Sequence, residues 1–314
     1  MSARAWAELL RLPALFTVPG DVLAGAAAVS GRTGPRTLLA AGSSLCLYEA
    51  GMALNDWADR EEDAAERPHR PLPSGRISPA AALTAAGALT AAGLALAARA
   101  GRPALAVATP LAATVWAYDL VLKRTPAGPV AMAAARGLDL LLGAAATRPG
   151  PDTVRRALPS AALLGTHTLA LTAVSRHETT GGAALPPLAA LATTGTLGLL
   201  LSHALPAARA TTTVRPGPPP GAARPWAGPD RRPVRRPLGT VLTAVYTALA
   251  ARPYLHAALN PSPPLTQRAV GGGIRATIPL QAALCARAGA PAAALCTAAL
   301  APLAARFSRK VSVT

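Results

Sequence analysis

The feature that most constrains this chain is the regular return of apolar stretches about as long as a bilayer is thick. They fall at 8–29, 37–58, 79–99, 104–122, 129–147, 158–176, 184–206 and 239–258, followed by a longer one at 267–306. A spanning helix needs about 20 residues, and none of these stretches alternates apolar and polar residues as a strand does. Unpaired backbone cannot face lipid, so the chain reads as an all-α, polytopic transmembrane helical bundle of about nine helices. The last stretch is too long for one span and is broken at Gly289–Pro291. It reads as one span plus a re-entrant or interfacial piece, or as two short spans, which would make ten.

Composition agrees with the membrane. Hydrophobic residues make up 51% and charged residues 14%, against about 25% charged in soluble domains. Mean hydropathy is only +0.33, because Ala stands where Leu is usual and Pro and Arg are abundant; the competing reading is a soluble, Ala-rich helical protein. The net charge of +17 invites a nucleic-acid partner, but aromatics are 3% and the arginines lie between apolar segments, so no nucleic acid is expected. Cys46, Cys285 and Cys296 lie in apolar runs without CxxC spacing and read as small buried hydrophobes. The first apolar run, interrupted by Pro13, Pro19 and Asp21, reads as a retained helix and not a signal peptide.

Most connections are short and carry turn residues. Arg209–Pro237, rich in Pro, Gly and Arg, has no apolar period and reads as a disordered or extended linker within one domain spanning 1–314. With a cytoplasmic N-terminus, nine spans bring Asn55–Ser78, Lys123–Thr125 and Arg176–Glu178 out on the same side. The arginines of Asn55–Ser78 obey the positive-inside rule, whereas the seven in Arg209–Pro237 violate it.

The polar residues carry the chemistry. Of 14 acidic residues, six (Asp56, Asp59, Glu61, Glu62, Asp63, Glu66) fall within Asn55–Arg76, NDWADREEDAAERPHRPLPSGR. Asn55, Asp59 and Asp63 recur at i, i+4, i+8 and share one side of a helix end, with Asp56 beside them. Like charges so close repel unless a cation sits between them. Hard oxygens at this spacing suit Mg2+, which keeps several waters and bridges to phosphates. The basic residues Arg67, His69, Arg70 and Arg76 follow as phosphate partners. The plain alternative is a charge-balanced loop with the i, i+4 pairs Asp63–Arg67 and Glu66–Arg70.

The order N-D-x-x-D-x-x-x-D followed by R-P-L-P-S-G resembles the first motif of the UbiA superfamily of intramembrane prenyltransferases, nearly position for position over residues 55–75. Tyr118–Thr125, YDLVLKRT, is similar to the Y-x-x-x-x-K element after that family's fourth helix. The resemblance implies Mg2+-assisted transfer of a prenyl group from an isoprenoid diphosphate to a small acceptor of aromatic, quinone-precursor or cyclitol-like type. It gives catalytic roles to Asp59, Asp63 and Lys123, and metal to Asn55, Asp56, Asp59 and Asp63. Substrate contacts fall to Asn55, Arg67, Arg70, Tyr118, Lys123 and Arg124. The family's second motif normally carries several aspartates. Here it reads HTLALTAVSRHETTGG from His167 to Gly182, with His167 in the place of the leading aspartate and Glu178 as its only carboxylate. Either Glu178 holds a weaker second metal, or Arg176 and His177 hold phosphate directly; alternatively His167 packs among helices and Glu178 pairs with Arg176. The reduced motif resembles the EboC-like branch of the superfamily.

Other ionisable groups lie inside spans, where they are functional candidates by default. Asp21 and Glu49 have no partner on their own helices and are kept for the acceptor side, with Asp21 a substrate contact. Arg136–Asp139 reads as a self-satisfied i, i+3 pair. Gly271–Gly273 lacks a P-loop lysine and a preceding strand and reads as a flexible turn. The whole is expected in the plasma membrane as a multi-pass protein with its site mouth toward the cytoplasm. Its expected partners are the diphosphate donor, the acceptor and the bilayer. The competing function is a catalytically degenerate carrier or scaffold for isoprenoid lipids.

Overall fold

The structure, a computed structural model, describes residues 2–29, 33–203 and 235–308. The described residues form helices and no strand. The first are α1 (Ala3–Leu9), a 3-10 turn (Leu12–Thr17), α2 (Pro19–Val29), α3 (Pro35–Ala58), α4 (Arg60–Glu66), α5 (Pro79–Ala100) and α6 (Arg102–Leu120). A second 3-10 turn (Leu122–Arg124) leads to α7 (Gly128–Thr147), α8 (Thr153–Ser175) and α9 (Leu185–Ser202). The last three are α10 (Arg235–Leu259), α11 (Pro263–Arg287) and α12 (Pro291–Ser308). Proline opens α2, α3, α5, α11 and α12, where the missing N–H has no partner to lose. Ser78 caps α5, its Oγ accepting from the Ala81 N–H at 3.2 Å. Between α5 and α6 the chain turns on Gly101 alone, at a φ of 135° that side-chain-bearing residues rarely adopt.

Nine of the described helices have 18 residues or more, but they are not the expected nine segments. The stretch 8–29 is not one helix. Arg11 takes a left-handed φ of 46°, and Pro13 and Pro19 cannot continue a helix, so α1, a 3-10 turn and α2 follow one another. At the other end the long stretch is two helices of 25 and 18 residues, separated at Gly289, whose φ is 79°. Gly271–Gly273 is no turn. It lies within α11, where a Cβ at Gly272 would stand 2.8 Å from Pro253 Cγ and one at Gly273 would stand 2.4 Å from the Tyr254 hydroxyl. These glycines let α10 and α11 touch. The linker expected at Arg209–Pro237 lies outside the described residues except for its last three, which begin α10.

The helices α3, α5, α7, α8 and α9 combine the length and apolarity needed to cross a membrane. Their outward faces carry exposed apolar side chains such as Leu38, Val130, Leu185 and Leu199, which suit lipid and not water. Cys285 is buried, Cys46 half-buried and Cys296 exposed, so the third cysteine is not the core residue its neighbours implied. The first half packs α3 on α5 and α6, with α7 between α2, α6 and α8, while α10 joins α9 to α11 in the second half. The result is an all-α, polytopic transmembrane bundle. The ends of α3, α6 and α8 lie together at one end of it.

Candidate functional site

The acidic stretch is folded around the end of α3. Asp59 terminates this helix, its N–H donating to the Asn55 carbonyl at 3.0 Å, and α4 starts at the next residue. The break sorts the acidic residues into two sets. Asn55 and Asp59 share a cation, with Lys123 Nζ 2.6 Å from Asp59 Oδ1 and 3.2 Å from Asn55 Oδ1. Asp56 and Asp63 turn elsewhere: Arg11 reaches Asp56 at 3.0 Å, while Arg70 Nη1 lies 2.6 Å from Asp63 and 3.8 Å from Asp56. The expected four-residue ligand set therefore does not converge, and no three Asp, Glu, His or Cys side chains among the described residues gather as a metal site. The i, i+4 pair Asp63–Arg67 is present at 3.7 Å, whereas Arg70 pairs with Asp63 in preference to Glu66.

Arg70 is held by the turn that follows it. Ser74 Oγ donates to the Arg70 carbonyl at 2.6 Å, Gly75 takes a φ of 70°, and the Ile77 N–H closes on Pro71 O at 3.0 Å. Arg76 is spent elsewhere, on Glu8 of α1 at 2.6 Å and on the His69 carbonyl at 2.6 Å. The R-P-L-P-S-G-R segment thus positions one guanidinium against two buried carboxylates, Asp56 and Asp63, which are 5% and 3% exposed.

The second wall of the mouth is the turn between α6 and α7. It is pressed against Gly128, where a Cβ would come within 3.1 Å of the Leu122 carbonyl. Arg124 bridges Asp59 and Glu62, both at 3.2 Å. Arg176, at the end of α8, donates to the Thr125 carbonyl and not to Glu178. Burial raises the Glu178 carboxyl above its ordinary range, and the nearby Arg67 pulls against that shift. The three polar clusters do meet at one end of the bundle.

Beneath the mouth lies a cavity of about 230 Å³. Arg11, Tyr48, Asn55, Tyr118 and Asp119 line its mouth side, and Ser44, Arg136 and Asp139 line its inner side, with Leu47, Leu111, Val115, Met52 and Met132 between. Ser44 stands 11 residues before Asn55 on α3, about 16 Å deeper at 1.5 Å per residue. The inner polar groups pair differently from the expected i, i+3 bond. Arg136 Nη1 lies 3.0 Å from Asp21 Oδ2, Asp21 Oδ1 accepts from Gln281 Nε2 at 2.5 Å, and Asp139 accepts from Ser44 at 2.7 Å. Asp21 is fully buried behind Arg136, so it positions that guanidinium and does not itself line the cavity. Glu49 is buried with neither carboxylate oxygen hydrogen-bonded, and it lies off the cavity lining.

His167 is placed apart from the mouth. Its Nε2 is 3.2 Å from the Gly273 carbonyl, its Nδ1 is 3.4 Å from the Tyr246 hydroxyl, and it is 2% exposed between α8, α10 and α11. The buried ring finds partners there, as packed polar groups must. In this placement His167 contacts Gly273, Tyr246 and Thr277 and none of the mouth residues.

The shared ammonium tests whether the mouth fits Mg2+. Two hard oxygens, Asn55 Oδ1 and Asp59 Oδ1, already converge on one cationic point, and such oxygens are what Mg2+ takes. Asn55 and Asp59 fit; Asp56, Asp63 and Glu178 do not point there. Sequence reasoning missed Arg11, Ser44 and Tyr48 as site residues and left Asp119 unassigned. Ser44, Tyr48, Gly51 and Asn55 recur at helical spacing, a signal that extends the Asn55 face inward. Arg11 meets Asp56 across 45 residues, and no local pattern announces that.

Fold and mouth define an intramembrane helical bundle whose cation-and-anion entrance opens onto an apolar cavity. The chain belongs to the UbiA prenyltransferase family, whose model matches residues 14–180. It is 37% identical over 155 residues to the digeranylgeranylglyceryl phosphate synthase of Methanopyrus kandleri, covering 47% of this chain and 55% of that one. The synthase of the same name from Methanothrix thermoacetophila is 37% identical over 149 residues, 45% of this chain and 56% of that one. The chain thus aligns with about half the length of these relatives. Among solved structures, the apo UbiA homolog from Aeropyrum pernix K1 matches with a TM-score of 0.62 at 17% identity, covering 86% of this chain and 96% of that one. A UbiA homolog from Archaeoglobus fulgidus bound to GPP and Mg2+ matches with a TM-score of 0.58 at 17% identity, covering 94% and 99%. At such identity the likeness is one of fold.

Proposed function

We propose that this protein transfers a prenyl group from an isoprenoid diphosphate to a small hydroxyl-bearing acceptor at the polar mouth. The observation that carries the reading is the convergence of Asn55, Asp59 and Lys123 on one cationic point directly above the cavity. Lys123, Arg124 and Arg70 supply cationic donors for diphosphate oxygens, and Asn55 with Asp59 would hold Mg2+. When bound, the metal stabilises charge developing on the departing diphosphate. The bond from prenyl C1 to the diphosphate oxygen breaks, its electron pair leaving with the diphosphate. An acceptor oxygen then bonds to C1 and gives up its proton to the departed diphosphate. The apolar side chains of the cavity, with Tyr118 in the wall, exclude water from the allylic cation.

The relatives' name favours an acceptor with alcohol groups over the aromatic and quinone-precursor types expected above, and a cyclitol-like one shares those groups. Their name contains a glyceryl phosphate, and the polar inner side of the cavity, Ser44, Arg136 and Asp139, suits a hydroxyl-rich molecule. The four arginines between Asn55 and Ser78 support a mouth facing the cytoplasm of the plasma membrane.

The test is Mg2+-dependent diphosphate release from geranyl diphosphate by the purified full chain. Asp59→Ala should lose at least about 100-fold and Asp63→Ala about tenfold or more, since stabilising the charge on the leaving group supplies most of the rate enhancement in such a site. Wild-type rates in both variants would remove the reading. Retention of the donor without release by the unaltered protein would favour a carrier.

A further inference from the structure

We propose that Asp119 is a third protein oxygen of the cation site, added to Asn55 and Asp59 from the cavity side. The inference rests on the metal-assisted reading above and names a ligand outside the acidic stretch. Outside the acidic stretch, Glu178 and Asp119 lie near the mouth, and neither has an ion pair among the described residues. Glu178 stands beside Arg67 and is absent from the cavity wall. Asp119 lines the cavity, is 4% exposed, and makes no hydrogen bond or ion pair among the described residues.

Its position is set by the register of α3 against α6. The Asp119 carboxylate lies over Gly51, its Oδ2 3.6 Å from where a Cβ would be. Gly51, Asn55 and Asp59 follow at one-turn intervals, each about 6 Å further along the axis. Lys123, one turn beyond Asp119, occupies Asn55 and Asp59. Asn55 therefore stands between the Asp119 carboxylate below and the ammonium above. The charged groups that act on Asp119 are Lys123, Asp59, Arg11 and Asp56. Each of the two cations among them is already paired, Lys123 with Asp59 and Arg11 with Asp56. A carboxylate buried without a partner is costly. A divalent cation between Asn55, Asp59 and Asp119 gives it one, and three protein oxygens with waters completing the shell is how Mg2+ is held. Gly51 keeps the space open, since a Cβ there would also meet Val115 Cγ1 at 3.0 Å.

The experiment is Mn2+ binding to the full chain in detergent with inorganic diphosphate present, read by the electron paramagnetic resonance of free Mn2+. Asp119→Asn should weaken Mn2+ binding at least tenfold, Asp119→Glu should restore it to within about threefold, and Glu178→Gln should leave it within twofold. A second variant guards against misfolding of the first. Asp119→Cys should raise the Cd2+ to Mn2+ affinity ratio at least tenfold over the unaltered protein, because thiolate prefers the softer ion. Unaltered Mn2+ binding in Asp119→Asn, or an unchanged ratio in Asp119→Cys, overturns the assignment and leaves the function standing. Failure of the unaltered chain to bind Mn2+ even with diphosphate removes both.

Discussion

The crossing of α2 over α7 makes a prediction that can be worked from distances. A Cβ at Gly143 would stand 2.2 Å from the Val22 carbonyl oxygen and 2.6 Å from Val22 Cα, and one at Gly25 would stand 1.9 Å from the Leu140 oxygen. Carbon and oxygen rarely approach below about 3.3 Å, so Gly143→Ala must drive the two helices apart by about 1 Å. That displacement takes the 3.0 Å Asp21–Arg136 contact to about 4 Å, the outer limit of an ion pair. Overpacking costs about 1–3 kcal/mol, and loosening a fully buried carboxylate from its partner adds to this. Alanine's helix propensity returns about 1 kcal/mol. The net expectation is a loss of about 2–4 kcal/mol, about 0–2 from overpacking after the propensity gain and the rest from the loosened ion pair. Gly137→Ala is the internal control, on the same helix with its nearest contact an ordinary 3.7 Å to the Ala161 oxygen; it should gain about 1 kcal/mol. Thermal unfolding of both variants in one detergent, followed by tryptophan fluorescence, should separate them by roughly 10 °C, at a few degrees per kcal/mol. A Gly143→Ala protein melting with or above Gly137→Ala would refute the close crossing.

Two further outcomes follow from the mouth. Lys123→Ala vacates the point shared by Asn55 and Asp59, so Mn2+ binding without diphosphate should tighten several-fold while prenyl transfer falls about 100-fold for want of a phosphate partner; weaker Mn2+ binding in this variant would contradict the shared point. Burial raises the Glu178 carboxyl above its ordinary value of 4.5, so between that value and the raised one the folded state binds more protons than the unfolded state. Stability then falls as pH rises through that window. Comparing melting temperature against pH for the unaltered chain and Glu178→Gln should show the slope lost in the variant, and an identical slope in both would count against the shift.

Much of the fold was legible because lipid imposes a coarse rule, and the helices between 35 and 202 fall near their expected limits. The errors lie where local conformation overrides apolarity. Arg11 in the left-handed region splits the first segment, and Gly272 and Gly273 serve a helix crossing that is indistinguishable from a turn in one dimension. At the site, the order Asn55, Asp56, Asp59, Asp63 grouped residues that do lie together at one end of the bundle, but it did not give their partition among Arg11, Lys123 and Arg70. Helical periodicity placed Asn55, Asp59 and Asp63 on one line, whereas α3 ends at Asp59 and rotates Asp63 toward Arg70. Arg136 was given to Asp139 by proximity in sequence; its partner Asp21 lies 115 positions away across the α2–α7 crossing. Partners across such distances are set by packing, which the sequence records only indirectly.

The ion pairs of the mouth have a thermodynamic consequence. Asp56, Asp59 and Asp63 meet Arg11, Lys123 and Arg70 at 3.0, 2.6 and 2.6 Å. With Glu62, Arg67 and Arg124 beside them and Asp119 beneath, five carboxyl groups face five cations and the entrance is close to electrically neutral at rest. A lone divalent cation or a lone diphosphate would upset that neutrality at the edge of a low-dielectric interior, where uncompensated charge is costly. Together they nearly cancel. On the proposed reading, metal and donor therefore raise each other's affinity, and linkage requires the two enhancement factors to be equal. The species such an entrance favours is the diphosphate already carrying its magnesium.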